Sequence, residues 1–131
     1  TLDGMVSARL DSDTWLPAPS QGAVGVEVRA DDAPMRALIA GIDDKPTSIC
    51  VRAERALLFA LGGDCHSAVA ALARMERESV HLRAMLYSED GADHVAGEAR
   101  FAAGDAQGPA GLAAELLARA PETITRLFTP A

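Results

Sequence analysis

Residues 47–74, TSICVRAERALLFALGGDCHSAVAALAR, combine the strongest helical pattern in the chain with a sharp stop and a following strand. Over 47–61, small or apolar side chains recur at three- and four-residue spacing, which is typical of one face of a helix. These side chains are Cys50, Ala53, Leu57 and Leu61. The residues that interrupt the stripe, assigned to the outer face, are Arg52, Glu54 and Arg55. Two glycines at 62–63 end the helix, and the Ala- and Val-rich residues 67–74 predict a strand.

Two more strands and a helix follow this stretch. Residues 79–87 and 94–101 alternate apolar and polar side chains with a period of two, which predicts strands. Polar turns at 76–78 and 88–91 join the three strands as two hairpins. Residues 109–120 begin with proline and place leucines and alanines on one face, which predicts a covering helix. This order predicts a small α+β domain, a three-stranded antiparallel sheet with helices packed on one face.

The N-terminal third has a different pattern. Three valines alternate with small or charged residues over 22–29, which predicts a strand, and 34–42 have helical spacing. No neighbouring strand follows directly, so we assign this strand to the sheet of a preceding α/β domain that is mostly absent. Residues 1–30 are then an incomplete returning segment. The C-terminal α+β domain spans 31–131, with its core over 45–131.

Composition narrows the class of protein further. The 131 residues suffice for one ordinary domain, and 49% of them are apolar while only 4% are aromatic, so the core is aliphatic. The 12 basic and 19 acidic residues give a net charge of -7. Scattered basic residues argue against nucleic acid as a partner, and no apolar run is long enough to span a membrane. Without a signal-peptide pattern, we expect a cytoplasmic protein. The lack of a long exposed apolar stripe agrees with a monomer.

Cys65 is the first candidate for chemistry, because it lies in a loop between a helix end and a strand start. The negative end of the helix dipole and the neighbouring Asp64 disfavour a thiolate, so this position suits a covalent tether better than a turnover nucleophile. The alternative is a small buried hydrophobe, which is also our interpretation of Cys50 on the helix stripe. A disulfide between the two is disfavoured. His66 beside Cys65 lacks the spacing of a metal site, so no metal is predicted.

The second group of candidates lies around the predicted strand 22–29. Gln21 precedes Gly22, and glycines here allow close approach of the backbone to a ligand. Arg29 at the strand end suits a carboxylate, which a guanidinium binds through two hydrogen bonds. Its alternatives are a structural pair with Glu27 or a solvated strand end. His81 and His94, on polar strand faces, are predicted to be solvated.

Two separated motifs carry a resemblance to a known family. They are LPAPSQGAVGVEVR at 16–29, and AERA at 53–56 followed by GGDC at 62–65. Together with three predicted strands and the Leu-rich helix around 112–117, they resemble the C-terminal part of the porphobilinogen deaminases, also called hydroxymethylbilane synthases. The resemblance covers most of the chain from Leu16 onward.

The resemblance implies a transferase with three domains. In that family a loop cysteine of the third domain carries a dipyrromethane cofactor through a thioether, and Cys65 holds the matching position. Four porphobilinogen units are condensed on this cofactor, head to tail, with loss of ammonia. Gln21 and Arg29 then look like contacts to the cofactor or its acidic side chains. The catalytic aspartate and most basic residues of the family belong to the N-terminal domains, so no catalytic residue is expected in this chain and the chain alone is expected to be inactive.

Several positions depart from the family pattern. Asp64 stands where the family favours a small residue, and Ser67 and Ala68 stand where it typically has a β-branched residue and a proline; Ser20 is a milder change. These departures favour the alternative of a diverged, non-catalytic binding or interaction domain with the same fold. A cysteine hydrolase using Cys65 and His66 is disfavoured, because adjacent residues at a strand start point to opposite sides.

Overall fold

The computed structural model describes residues 4–5 and 8–128. Parts of both predicted units, namely residues 1–3 and 6–7 at one end and 129–131 at the other, therefore lie outside the described residues. Four helices and three strands make up the regular structure of the described residues. In chain order they are α1 (Ala33–Ala40), α2 (Lys45–Ala60), β1 (Val69–Glu76), β2 (Ser79–Tyr87), β3 (His94–Ala102), α3 (Gln107–Arg119) and α4 (Glu122–Thr125).

The central helix α2 has clear signals at both ends. The Asp44 side chain accepts a hydrogen bond from the Thr47 N–H at 2.9 Å, and Pro46 occupies the first turn, where its missing N–H costs nothing. Gly62 follows the helix with a φ of +67°, the left-handed conformation that ends many helices. The helix therefore begins two residues before the predicted range, at the position that the aspartate cap sets.

The three strands form one antiparallel sheet in the order β1-β2-β3. In the central strand β2, alternate side chains are buried, and the others lie on the opposite face. The buried ones are Val80, Leu82, Ala84 and Leu86. The predicted α+β fold is confirmed. The first strand begins at Val69 rather than at 67, because Ser67 belongs to the preceding loop.

Both long helices cover the same face of the sheet and share one hydrophobic core. Helix α2 packs on β1 and β2, α3 packs on β3, and the two helices contact each other. Leu57 of α2 and Leu116 of α3 are completely buried, and Ile124 of α4 closes the end of the core. The core is aliphatic, as the composition predicts.

The predicted strand over 22–29 pairs with no other strand in the described part of the chain. Val24 is 91% exposed, Val26 is 52% exposed and Val28 is half-buried, so the alternating pattern buries little in this chain. A strand is stabilised by hydrogen-bonded neighbours, and none is available to these residues here. Their assignment to the sheet of another domain, and the boundary between the two units, stay predictions.

Two polar residues are placed differently from the sequence prediction. Glu54, assigned to the outer face of α2, is 6% exposed and belongs to the buried set. His81, expected to be solvated, has only 14% of its side chain exposed, because carboxylates of Glu76 and Glu98 lie 3.2 and 3.1 Å from its two ring nitrogens. The partners of Glu54 and one of the two partners of His81 are at least 17 residues away in sequence, and a local pattern does not show them.

Candidate functional site

Cys65 lies in the loop between α2 and β1, and its side chain is exposed and free. The loop leaves the helix through Gly62 and then packs closely at Gly63. A Cβ atom added to Gly63 would lie 2.7 Å from Leu58 Cδ1 and 3.0 Å from Ser67 Oγ. Only glycine fits this position without a shift, so the path of the chain into Cys65 is fixed by packing on the end of the helix.

Asp64 and Ser67 bind each other across the cysteine. The Asp64 N–H donates to Ser67 Oγ at 2.8 Å, and the Ser67 hydroxyl lies 3.3 Å from the Asp64 carboxylate. The same carboxylate accepts a hydrogen bond from the His66 N–H at 2.8 Å, and this bond is the main cause that lowers the pKa of Asp64. Asp64 and Ser67, two of the residues that depart from the family pattern, thus hold the loop together. They leave the Cys65 side chain outside the hydrogen-bonded ring.

Cys50 has a different environment. It is half-buried on α2 and packs against the core. Burial raises the pKa of its thiol, and the negative charge of Glu54 adds to this shift. Cys50 is therefore suited to packing and not to reaction, which agrees with its interpretation as a core residue.

Gln21 lies in a turn that packs against the domain. Its side-chain Oε1 accepts a hydrogen bond from the Ala18 N–H at 3.1 Å, which closes the turn on itself. The carbonyl of Pro17 accepts from the Ala71 N–H of β1 at 2.8 Å. The Ser20 N–H donates to the Glu54 carboxylate at 2.6 Å. The turn that carries Gln21 is thus hydrogen-bonded to both α2 and β1.

Arg29 is exposed and forms a two-bond pair with Asp31. Its Nε and Nη2 donate to the two carboxylate oxygens at 3.0 and 2.8 Å. The pair lowers the pKa of Asp31. The local partner is therefore Asp31 and not Glu27. Among the described residues, no hydrogen bond joins Cys65, Gln21 and Arg29 to one another.

Glu54 is the residue at this site that the sequence analysis missed. It accepts hydrogen bonds from Ser20 of the Gln21 turn and, at 2.8 Å, from the Ala73 N–H of β1. One signal was available in the sequence. Glu54 follows Cys50 by four residues and precedes Leu57 by three, so it lies on the apolar stripe and not opposite it.

The wider surface offers other grooves. One groove, of about 820 Å³, lies between α2 and α3, and another, of about 430 Å³, lies between residues 23–26 and α2; neither Cys65, Gln21 nor Arg29 lines either of them. No cluster of three His, Cys, Asp or Glu side chains that could bind a metal ion occurs among residues 4–5 and 8–128. In that same part of the chain, none of the helices is both long and apolar enough to cross a bilayer.

Comparisons with known proteins match this chain to one family, over the residues that form the helix, loop and sheet. The family model described as porphobilinogen deaminase, C-terminal domain, matches residues 48–119, which run from α2 through the Cys65 loop and the sheet to the end of α3. A porphobilinogen deaminase of Sphingopyxis alaskensis is 52% identical over 124 residues, which cover 94% of this chain and 39% of that protein. One from Xanthomonas oryzae pv. oryzae is 49% identical over 106 residues, covering 81% of this chain and 35% of that protein.

The chain thus spans well under half the length of these relatives, and the matched region includes the loop that carries Cys65. Because the family model matches more than half of the chain, and the matched residues form the helix, loop and sheet described above, the chain belongs to the porphobilinogen deaminase family, in which residues 48–119 correspond to the C-terminal domain.

Proposed function

We propose that this chain is the cofactor-anchoring domain of a hydroxymethylbilane synthase, a transferase that condenses four porphobilinogen units head to tail with release of ammonia. Family membership and the names of the relatives support the reaction class. The observation that carries the proposal is Cys65 itself, an exposed free thiol on a braced loop at the family's cofactor position. In this proposal Cys65 holds a dipyrromethane through a thioether.

The loop fits such a tether. A thioether requires a sulfur that a bulky group can approach, and the exposed Cys65 side chain meets this requirement. The loop is held by Asp64, Ser67 and Gly63 and not by the cysteine, so substitution of the sulfur leaves those contacts in place. When bound, the cofactor supplies the pyrrole carbon to which the first porphobilinogen is joined.

Gln21 and Arg29 are proposed contacts to the cofactor or to its acidic side chains. The Gln21 carboxamide uses its oxygen within the turn, which leaves its NH₂ group to donate. The Arg29 guanidinium is 79% exposed and already shows the two-bond geometry that binds a carboxylate, with Asp31 in the place of the ligand. Binding an acetate or propionate group therefore requires Arg29 to exchange one carboxylate for another.

The charge of the chain indicates that it does not work alone. A net charge of -7 repels a growing oligopyrrole that itself bears carboxylates. We infer that N-terminal domains of the same protein supply the basic residues and the catalytic acid–base group. The expected setting is a monomer in the cytoplasm, acting on porphobilinogen without nucleic-acid or membrane partners.

The state of Cys65 tests the proposal. The full-length deaminase that contains this domain is purified, and its intact mass and peptide map over residues 53–74 are measured for wild type, Cys65→Ala and the matched control Cys50→Ala. We expect a dipyrromethane adduct on Cys65 in wild type and Cys50→Ala, and neither adduct nor turnover in Cys65→Ala.

Turnover with an unmodified Cys65 would refute the tether. An unmodified Cys65 without turnover would favour the alternative of a diverged, non-catalytic domain. Ammonia release by the isolated 131-residue chain would contradict the need for other domains.

A further inference from the structure

Glu54 is a buried carboxylate at the junction of three elements. Its side chain projects from α2, one oxygen accepts from Ser20 N–H of the Gln21 turn at 2.6 Å, and the other accepts from Ala73 N–H of β1 at 2.8 Å. Only 6% of the residue is exposed. Each oxygen thus serves a different element, and the carboxylate joins the turn to the edge of the sheet.

The charge of Glu54 has no cationic partner among the ion pairs of the described residues. The arginines nearest in sequence, Arg52 and Arg55, are exposed on the other side of α2. A buried charge is costly unless hydrogen bonds compensate it. The two backbone amides are therefore the groups that keep this carboxylate in place, and a replacement for Glu54 must satisfy both of them.

Ser20, at the other end of the shorter hydrogen bond, is in an unfavourable conformation. Its φ is +62°, a left-handed value that residues with a side chain rarely adopt. Its Oγ is buried and, among the described residues, has no hydrogen-bond partner. Such a conformation persists where the surroundings enforce it, and it is frequent at functional sites. The bond to Glu54 is the long-range contact that holds the Ser20 backbone.

We propose that Glu54 is a positioning residue, whose carboxylate holds Ser20 in its left-handed conformation and so fixes the Gln21 turn relative to the domain that carries Cys65. Gln21 follows Ser20 directly and closes the turn onto Ala18, so a change of φ at Ser20 reorients it. The effect on turnover rests on the proposed function, whereas the effect on the turn does not.

The first variant is Glu54→Gln, which keeps the size of the side chain but offers one carbonyl oxygen where two carboxylate oxygens are needed. In the full-length deaminase we expect kcat to fall about tenfold, with the mass adduct at Cys65 retained. Without the bond to Glu54, only about a tenth of the molecules would hold Ser20 in its strained conformation. Hydrogen exchange at residues 17–22 should become faster. Glu115→Gln, an exposed change on α3, is the matched control and should alter neither quantity.

The second variant separates positioning from general stability. Ser20→Gly lets the turn adopt its conformation without the carboxylate, because glycine accepts positive φ without steric cost. Added to Glu54→Gln, it should restore most of kcat and slow the exchange of residues 17–22. A role of Glu54 limited to bracing β1 predicts no such rescue.

Unchanged exchange in Glu54→Gln, or additive losses in the double variant, would overturn the proposal. If wild type itself neither carries the adduct nor turns over, the proposed function fails. The exchange patterns of wild type, Glu54→Gln, Ser20→Gly and the double variant then still decide whether Glu54 positions the turn.

Discussion

The segment over residues 8–44 and the packed part over 45–128 contain comparable apolar patterns but differ in what they bury. In the packed part, Leu57, Leu82 and Leu116 are completely shielded from solvent. In the segment, Val24 is 91% exposed and Leu38 is 69% exposed, and α1 contains no buried residue. Apolar periodicity is thus present in both regions, whereas burial follows only where a second element lies opposite.

The helices α1 and α2 make the comparison sharper, because both begin in the same way. Asp32 caps α1 through Met35 N–H at 3.0 Å, as Asp44 caps α2 through Thr47 N–H at 2.9 Å, and each helix has a proline in its first turn. Only α2 packs on the sheet. Capping locates a helix, and tertiary packing supplies most of its stability.

The largest expected effect contrasts one buried and one exposed side chain. Leu116→Ala should destabilise the protein by about 2–5 kcal/mol, since it removes buried methyl groups and leaves a cavity under β3. In the isolated 131-residue chain, where Val24 is exposed, Val24→Ala should stay within about 0.5 kcal/mol of wild type. Urea unfolding of both variants measures the difference. A similar loss of stability in both variants would mean that residues around Val24 are packed in solution, and the contrast between the two regions would then be wrong.

An intermediate effect is expected in the Gln21 turn, which belongs to the segment and is hydrogen-bonded to the packed part. Ser20→Gly should stabilise by roughly 0.5–1 kcal/mol, because relief of the left-handed strain exceeds the added flexibility of the unfolded chain. Gly22→Ala, at a φ of +79°, should destabilise by about 1 kcal/mol. The two denaturation midpoints should therefore move in opposite directions. Equal signs would show that the turn is not held in this conformation.

The smallest effect is expected where the segment contacts the open face of the sheet. Asp13 pairs with Arg74 at 2.6 Å, and its carbonyl accepts from Arg83 at 2.9 Å. Both carboxylate and guanidinium are about half exposed, so Asp13→Asn should cost no more than about 0.5 kcal/mol. High salt should remove this difference by screening. A loss that persists in 1 M salt would indicate a contact stronger than a surface ion pair.

The packed part of the fold was predictable because its signals are local. Period-two alternation located β2, and the glycines after Leu61 located the end of α2. The start of β1 was placed two residues early, because Ser67 and Ala68 are small residues like those of the strand that follows. In the structure, Ser67 is instead bound to Asp64. Such a side-chain bond competes with strand pairing, and composition does not show it.

The candidate site was predictable only in part. Cys65 was selected from its loop position and from the family resemblance; the structure places it exposed, and its role stays a proposal. The environments of Glu54 and His81 were predicted wrongly. The partners of Glu54 lie 19 or more residues away in sequence, and one partner of His81 lies 17 residues away. Arg29 pairs with Asp31 and not with Glu27, which was named as one alternative partner, and both residues lie two positions from it in the sequence.

The contacts of the Gln21 turn have a consequence for the behaviour of the protein in solution. A three-stranded open sheet has two free edges, and free edges invite intermolecular strand pairing and aggregation. Along β1, the amides of Ala71 and Ala73 are taken by the Pro17 carbonyl and the Glu54 carboxylate. Along β3, Arg119 donates to the carbonyl of Ala96 at 2.8 Å. Loss of the turn would therefore expose a template for strand addition, so the same contacts also protect the domain against self-association.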